Sequence, residues 1–173
     1  MTYNTIQLSG VDNSDRHMNR NAEVDTLYAG AVAFRLTLSD STHLYAKLPD
    51  QPAQMFAFKQ AMAFSPVEPT FLPTVRVTEI KTFTLFDING QINAGDDVSD
   101  HMVFDGGSDF ELYQTTSSAI DALNRTQIGA SGSVIMVLKD VVEGSNAQFR
   151  VEVTFEDGSQ LIATTNLFTL IKP

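Results

Sequence analysis

Apolar and polar residues alternate strictly near the end of the chain, and this pattern constrains the fold more than any other. From residue 149 to residue 155 every second side chain is Phe or Val, with Arg, Glu and Thr between them. A period of two residues places all the apolar side chains on one face of a β-strand. Asp157-Gly158 follows as a turn dipeptide, and residues 160–171 read as the returning segment. We therefore predict an antiparallel hairpin with one face in a core and the other in water.

Similar runs recur along the chain and predict further strands. These are residues 3–8, 74–86, 102–104, 110–113 and 134–137. Phe34, Leu36 and Leu38 predict a strand within a hairpin that spans 24–48 and turns at 39–41. Between residues 79 and 82 the alternation slips in phase, which is typical of a β-bulge.

Asn89-Gly90 predicts a tight hairpin turn, because both residue types tolerate a positive φ. Residues 91–93 would then begin the return strand.

Two segments favour short helices, at about 51–64 and about 117–128. The first opens on Asp50-Gln51-Pro52, which supplies a capping oxygen and then a proline that needs no hydrogen bond there. A strand at 54–64 is the alternative, since the Phe residues there also alternate. The second helix carries Ile120 and Leu123 and ends at Gly129.

The fold class that we predict is mainly β: a single antiparallel β-sandwich or barrel-like domain with two short helices. A chain of 173 residues is long enough for one core, so residues 1–173 should form one domain. Residues 11–23 are almost all polar, and we expect a mobile arm or a long loop there.

Charge is distributed unevenly along the chain. The whole sequence has 21 acidic and 11 basic residues, and residues 82–124 hold eight carboxylates without one lysine or arginine. Such a block creates a negative potential that attracts cations and basic proteins and repels nucleic acid and anionic membranes. We predict a non-catalytic module that binds a basic protein or cationic ligand through an Asp-rich face. The predicted contact residues are Asp96, Asp97, Asp100, Asp105 and Asp109.

Several classes of site and location are disfavoured. The chain has no cysteine, which excludes disulfides, thiolate zinc sites and cysteine nucleophiles. Its longest apolar run is the five residues 134–138, far short of the ~20 that span a bilayer. The first ten residues lack the basic start and apolar core of a signal peptide, so we expect the cytoplasm by default. The alternative is the mature form of an exported protein.

Residues 87–97 superficially resemble the calcium loops of EF-hand and dockerin modules, because they carry several oxygen-bearing side chains. The segment lacks the terminal bidentate Glu, and its flanks predict strands where those modules have helices. We therefore expect no specific metal site and no cofactor; a weak, non-specific divalent site is the alternative.

No catalytic motif is present, so we do not expect an enzyme. His17, His43 and His101 share no metal-ligand spacing, and residues 129–133 lack the second glycine of a nucleophile elbow. A Ser-His-acid triad assembled in space stays open. The alternative from this class is a carboxylate-dependent hydrolase, which requires two or more acids that converge in a pocket.

Two further alternatives concern assembly. In bulk character (acidic, cysteine-free, β-rich and short) the chain is similar to the mitochondrial-matrix acidic proteins, the globular-C1q-receptor family. That resemblance implies a ring-shaped trimer that binds many cationic ligands, although those chains end in long helices and this one ends in predicted strands. The other alternative is an adhesin or phage-type structural subunit. For the preferred binding module we also expect a homo-oligomer, because exposed sheet edges are commonly covered by self-association.

Overall fold

The fold is built mainly from antiparallel β-strands. The computed structural model describes residues 1–13, 19–44, 70–105, 114–125, 127–128 and 130–172, without the side chains of 19–22, 43–44 and 127–128. The strands are β1 (Thr5–Asp12), β2 (Asn19–Glu23), β3 (Thr26–Tyr28), β4 (Ala33–Ser39), β5 (Thr70–Phe71), β6 (Val77–Thr84), β7 (Met102–Asp105), β8 (Gln127–Ile128), β9 (Ser131–Leu138), β10 (Asn146–Ala147), β11 (Phe149–Phe155), β12 (Gln160–Thr164) and β13 (Phe168–Ile171). The helices are α1 (Ser41–Leu44) and α2 (Thr116–Leu123), and a 3₁₀ turn covers Ser99–His101.

Two antiparallel sheets enclose the core, which confirms the predicted sandwich. One has the strand order β2-β1-β4-β9-β7 and the other β12-β11-β6. The ring of Phe34 on β4 stacks on that of Phe149 on β11, with centroids 5.2 Å apart. A third sheet, β10-β13-β3, contains the parallel pair β13 and β3 and adds Phe168 to this aromatic core. Among the described residues no helix is long and apolar enough to cross a bilayer.

The alternating patterns are confirmed where they were strongest. On β11 the side chains of Phe149, Val151 and Val153 are fully buried, while the polar residues between them are partly exposed. The hairpin of β11 and β12 forms around Gly158, whose φ is 81°. The predicted bulge lies slightly earlier than expected: Val77 pairs with Phe155 and Glu79 with Thr154, so the residue between them is the inserted one.

The predicted return segment 160–171 divides between two sheets. Residues up to Thr164 pair with β11, whereas β13 pairs with β3 and β10.

The segment 11–23, predicted as a polar arm or loop, has strands at both of its described ends. Residues 11 and 12 belong to β1, and β2 pairs with them.

Two predictions were wrong in extent. Helix α2 ends at Leu123 and not at residue 128; its N-cap is Thr115, and β8 occupies the end of the predicted helix. The turn at residues 39–41 leads into α1 and not into a strand, because the Asp40 carboxylate accepts a hydrogen bond from Thr42 N (3.0 Å), as an N-cap does. The predicted helix at 51–64, its strand alternative and the strand at 110–113 lie outside the described residues.

Candidate functional site

The loop between β6 and β7, residues 85–101, holds most of the predicted contact residues. Its side chains bind its own backbone. Asp87 Oδ1 accepts from Ala94 N (2.9 Å), and Asp96 Oδ2 accepts from Asn93 N (2.8 Å). Asn89 Oδ1 accepts from the backbone N–H groups of the second and third residues after it, at 3.2 and 3.3 Å. Such bonds compete with a strand ladder.

This competition explains why the predicted return strand at 91–93 was wrong. A turn does form at Gly90, whose φ is 70°, but it is wider than the predicted two-residue turn. Asn89 has no positive φ, and Ile88 N donates to Ile92 O (3.0 Å), which leaves three residues between the bonded pair. From residue 91 to residue 94, however, the backbone N–H groups bind carboxylate and amide oxygens and not an opposite strand.

The end of the loop rejoins the sheet beside β6. Thr84 N donates to Asp96 O and Val98 N to Thr82 O, so that Asp97 forms a bridge with Phe83. The Asp97 carboxylate accepts from both the backbone N–H (2.9 Å) and the hydroxyl (2.5 Å) of Ser99. Backbone pairing on one side and side-chain bonds on the other hold this acidic segment in a defined conformation.

A second loop, residues 139–145, lies against the first. Lys139 N donates to His101 O (2.9 Å), and Glu143 N donates to Ile88 O (2.7 Å). The Nδ1 atom of His101 is 2.6 Å from Asp140 Oδ2. These three contacts bring Asp140 and Glu143 to the predicted acidic loop, although they follow it by about forty residues in the sequence.

We call this surface the acidic loop pair. Its carboxylates are Asp87, Asp96, Asp97, Asp100, Asp140 and Glu143. All are exposed except Asp140, which is partly buried. The only lysine or arginine in the two segments is Lys139, whose Nζ donates to the backbone oxygen of Asp100 and not to a carboxylate. The surface therefore keeps a strong excess of negative charge.

The predicted contact residues do not all meet. Asp96, Asp97 and Asp100 lie on the acidic loop pair. Asp105 lies at the far end of β7 from His101, on the outer face of the five-stranded sheet, where it pairs with Ile135. Asp109 lies outside the described residues.

Neither a triad nor a metal cluster occurs at this surface. The Ser99 hydroxyl binds Asp97 and accepts from Thr82 N (2.9 Å), so it is not directed at the imidazole of His101. Within the described ranges, no three His, Cys, Asp or Glu side chains are grouped so that they could hold a metal ion. His17 and the side chain of His43 lie outside the described part.

A depression of about 510 Å³ borders the acidic loop pair. Its lining consists of Ala29, Val141, Val142, Glu143 and Lys172. Only one of these residues is a carboxylate, so the depression does not meet the two-acid condition set for a hydrolase.

Neither the protein-family models nor the curated proteins match this sequence. Solved structures give matches at low identity. The C-terminal domain of the Streptococcus pyogenes antigen I/II-family protein AspA is 12% identical, with 96% of this chain and 46% of that chain covered and a TM-score of 0.31. For the C-terminal domain of the Streptococcus agalactiae AgI/II polypeptide BspA the identity is 10%, the coverage 94% and 48%, and the TM-score 0.27. The chain thus spans less than half of either structure.

Proposed function

We propose that this chain is a non-catalytic binding module that engages a basic protein or cationic ligand through the acidic loop pair. The observation that supports this proposal is the joining of two loops with six carboxylates and a single lysine. A fixed cluster of exposed charges of one sign accelerates the encounter with a partner of opposite sign and makes the affinity depend on salt.

The same potential repels nucleic acid and anionic lipid, so we propose neither as a partner. The cytoplasm stays the predicted compartment.

Charge reversal at two positions tests the proposal. In the part of the chain that the structure describes, the carboxylates of Asp100 and Glu143 make no hydrogen bond or ion pair, so Asp100→Lys with Glu143→Lys leaves the loop scaffold intact. We expect this double variant to lose at least tenfold in affinity for a fluorescent oligo-lysine peptide, measured by anisotropy at low salt. The variant Asp100→Asn with Glu143→Gln should fall between it and the wild type.

The matched control is Glu23→Lys with Glu156→Lys, which changes the net charge equally at two exposed positions outside the loop pair. It should keep most of the affinity. Equal weakening by both double variants would mean that the peptide responds to net charge alone, and absence of wild-type binding at low salt would also overturn the proposal.

A further inference from the structure

Within the described part of the chain, strand β12 is an open edge of the three-stranded sheet. It pairs with β11 on one side, and on its other side no described strand pairs with it, although β1 of the five-stranded sheet lies close to it. The opposite edge of this sheet is different, because β6 is covered there by the bridge between Phe83 and Asp97. The open edge and the acidic loop pair therefore lie on opposite sides of one sheet.

The register identifies which backbone groups of β12 are directed outward. Phe155 N donates to Ser159 O, and Thr165 N donates to Phe149 O, both at 2.9 Å. Hydrogen-bonded pairs alternate along an antiparallel ladder, so Leu161 and Ala163 direct their N–H and C=O groups toward β11. The N–H and C=O groups of residues 160, 162 and 164 consequently point away from the sheet.

The sequence of this edge contains none of the features that usually protect an edge strand. Natural edges carry charged side chains, proline or a bulge. From Ser159 to Thr165 the chain has no charged residue and no proline, and the pairing with β11 is regular. At the centre of the strand, Ile162 keeps 54% of its surface exposed. An exposed β-branched side chain on an unprotected edge favours the addition of another strand.

We propose that the partner of this edge is β12 of a second copy of the chain, added antiparallel about a two-fold axis at Ile162. In this register Ile162 lies opposite Ile162 of the second copy, and Gln160 lies opposite Thr164 of the second copy. The outward N–H and C=O groups of residues 160, 162 and 164 then form hydrogen bonds with those of the second copy, because position 162 pairs with 162 and position 160 with 164. A two-fold interface must be self-complementary, and this strand satisfies that condition in polarity and in hydrogen-bond parity.

Charge favours this partner over a basic one at the edge. No carboxylate lies within 159–165, so the acidic character that attracts cations elsewhere is missing here. An edge of five residues buries less than the roughly 1,200 Å² of a stable interface. The dimer is therefore weak and depends on protein concentration.

Cysteine cross-linking tests the register, since the chain has no cysteine of its own. In the proposed dimer, the Cα atoms of an Ile162→Cys pair are about 5.5 Å apart, within disulfide range. In Thr164→Cys the two thiol-bearing residues are offset by four positions, roughly 13 Å along the strands. We expect copper-catalysed oxidation to give several times more covalent dimer for Ile162→Cys than for Thr164→Cys on non-reducing gels.

A charge-pair comparison provides an independent test. Gln160→Lys with Thr164→Glu places opposite charges across the interface twice, whereas Gln160→Glu with Thr164→Glu places like charges there. Sedimentation equilibrium at low salt should give a dimer for the first variant and a monomer for the second, with melting temperatures showing that both are folded. Equal cross-linking of the two cysteine variants, equal masses of the two charge variants, or a monomeric wild type at millimolar concentration would each overturn the proposal.

Discussion

Among the described residues, Tyr3 is one whose ionisation the fold changes strongly. Its side chain is buried, and its hydroxyl donates to Leu123 O at 2.8 Å. Burial raises the pKa of Tyr3 from 10.0 to about 12, because the phenolate would lose its hydration. Between these two values the folded state keeps a proton that the unfolded state has lost. This group therefore leaves stability unchanged below pH 10 and lowers it as the pH rises from 10 to 12.

Tyr3→Phe should cost about 1 kcal/mol at pH 7, the net value of one hydrogen bond. The variant should also lose less stability than the wild type between pH 10 and 12, since it has no proton to release there. Urea unfolding at pH 7, 10 and 11 measures both effects. Tyr28→Phe is the control, because Tyr28 is exposed. A similar loss of stability in the two variants would contradict our attribution of the effect to the buried hydroxyl of Tyr3.

At the scale of elements, Asn124 joins helix α2 to the start of β6. Its Oδ1 accepts from Val77 N (2.8 Å), and its Nδ2 donates to Val77 O (2.9 Å). Asn124 is also the C-cap residue of the helix, so one side chain fixes where the helix ends and where it meets the sheet. The overlong helix prediction follows from this contact: the sequence pattern is compatible with more turns, but the bond to β6 ends the helix at Leu123.

Asn124→Asp should destabilise the protein by about 1–3 kcal/mol at pH 7, because a carboxylate oxygen replaces the Nδ2 donor opposite Val77 O. Below about pH 4 the protonated acid can donate again, so the loss should shrink there. Chemical denaturation at pH 7 and pH 3.5 checks this dependence. Asn4→Asp is matched in charge and keeps its role, since Asn4 Oδ1 accepts from Ser41 N (2.9 Å). Equal losses in the two variants would refute the donor role of Asn124.

The two strands with the clearest alternation in the sequence, β4 and β11, have one-sided burial. On β4 and β11 each alternate side chain faces the core, so the period of two is visible in the residues themselves. The region after Asn89-Gly90 was predicted wrongly because the carboxylates of Asp87 and Asp96 accept hydrogen bonds from its backbone N–H groups, and propensity patterns do not record such bonds. The position of the turn was predictable, but its width and its continuation were not.

The candidate site, too, was predicted only in part. Its first loop was visible as a run of aspartates, but Asp140 and Glu143 join it only through long-range pairing. β7 pairs with β9, with Met102 opposite Leu138, and this pairing places residue 139 beside His101. Asp105 was grouped with the loop by its position in the sequence, yet it lies at the far end of β7 from the loop, opposite Ile135 of β9.

At the scale of the whole molecule, the two proposed surfaces occupy opposite edges of one sheet. The acidic loop pair covers the β6 edge, and β12 forms the other. A dimer through β12 would therefore join the two three-stranded sheets into one sheet of six strands. The two acidic surfaces would lie at its opposite edges, and both would stay accessible. Such an arrangement favours a long polycation that reaches both copies, because the second contact is then intramolecular.

The net charge of −10 per chain makes the two associations respond oppositely to salt. Two copies repel each other at low ionic strength, and screening removes this repulsion, so the β12 dimer should strengthen from 20 mM to 500 mM NaCl. Binding of oligo-lysine to the acidic loop pair should weaken over the same range, since the same screening removes an attraction. Sedimentation equilibrium measures the first trend and peptide anisotropy the second. If both associations weakened with salt, the dimer would depend on ion pairs that the neutral strand β12 does not contain, and self-association would have to be assigned to another surface.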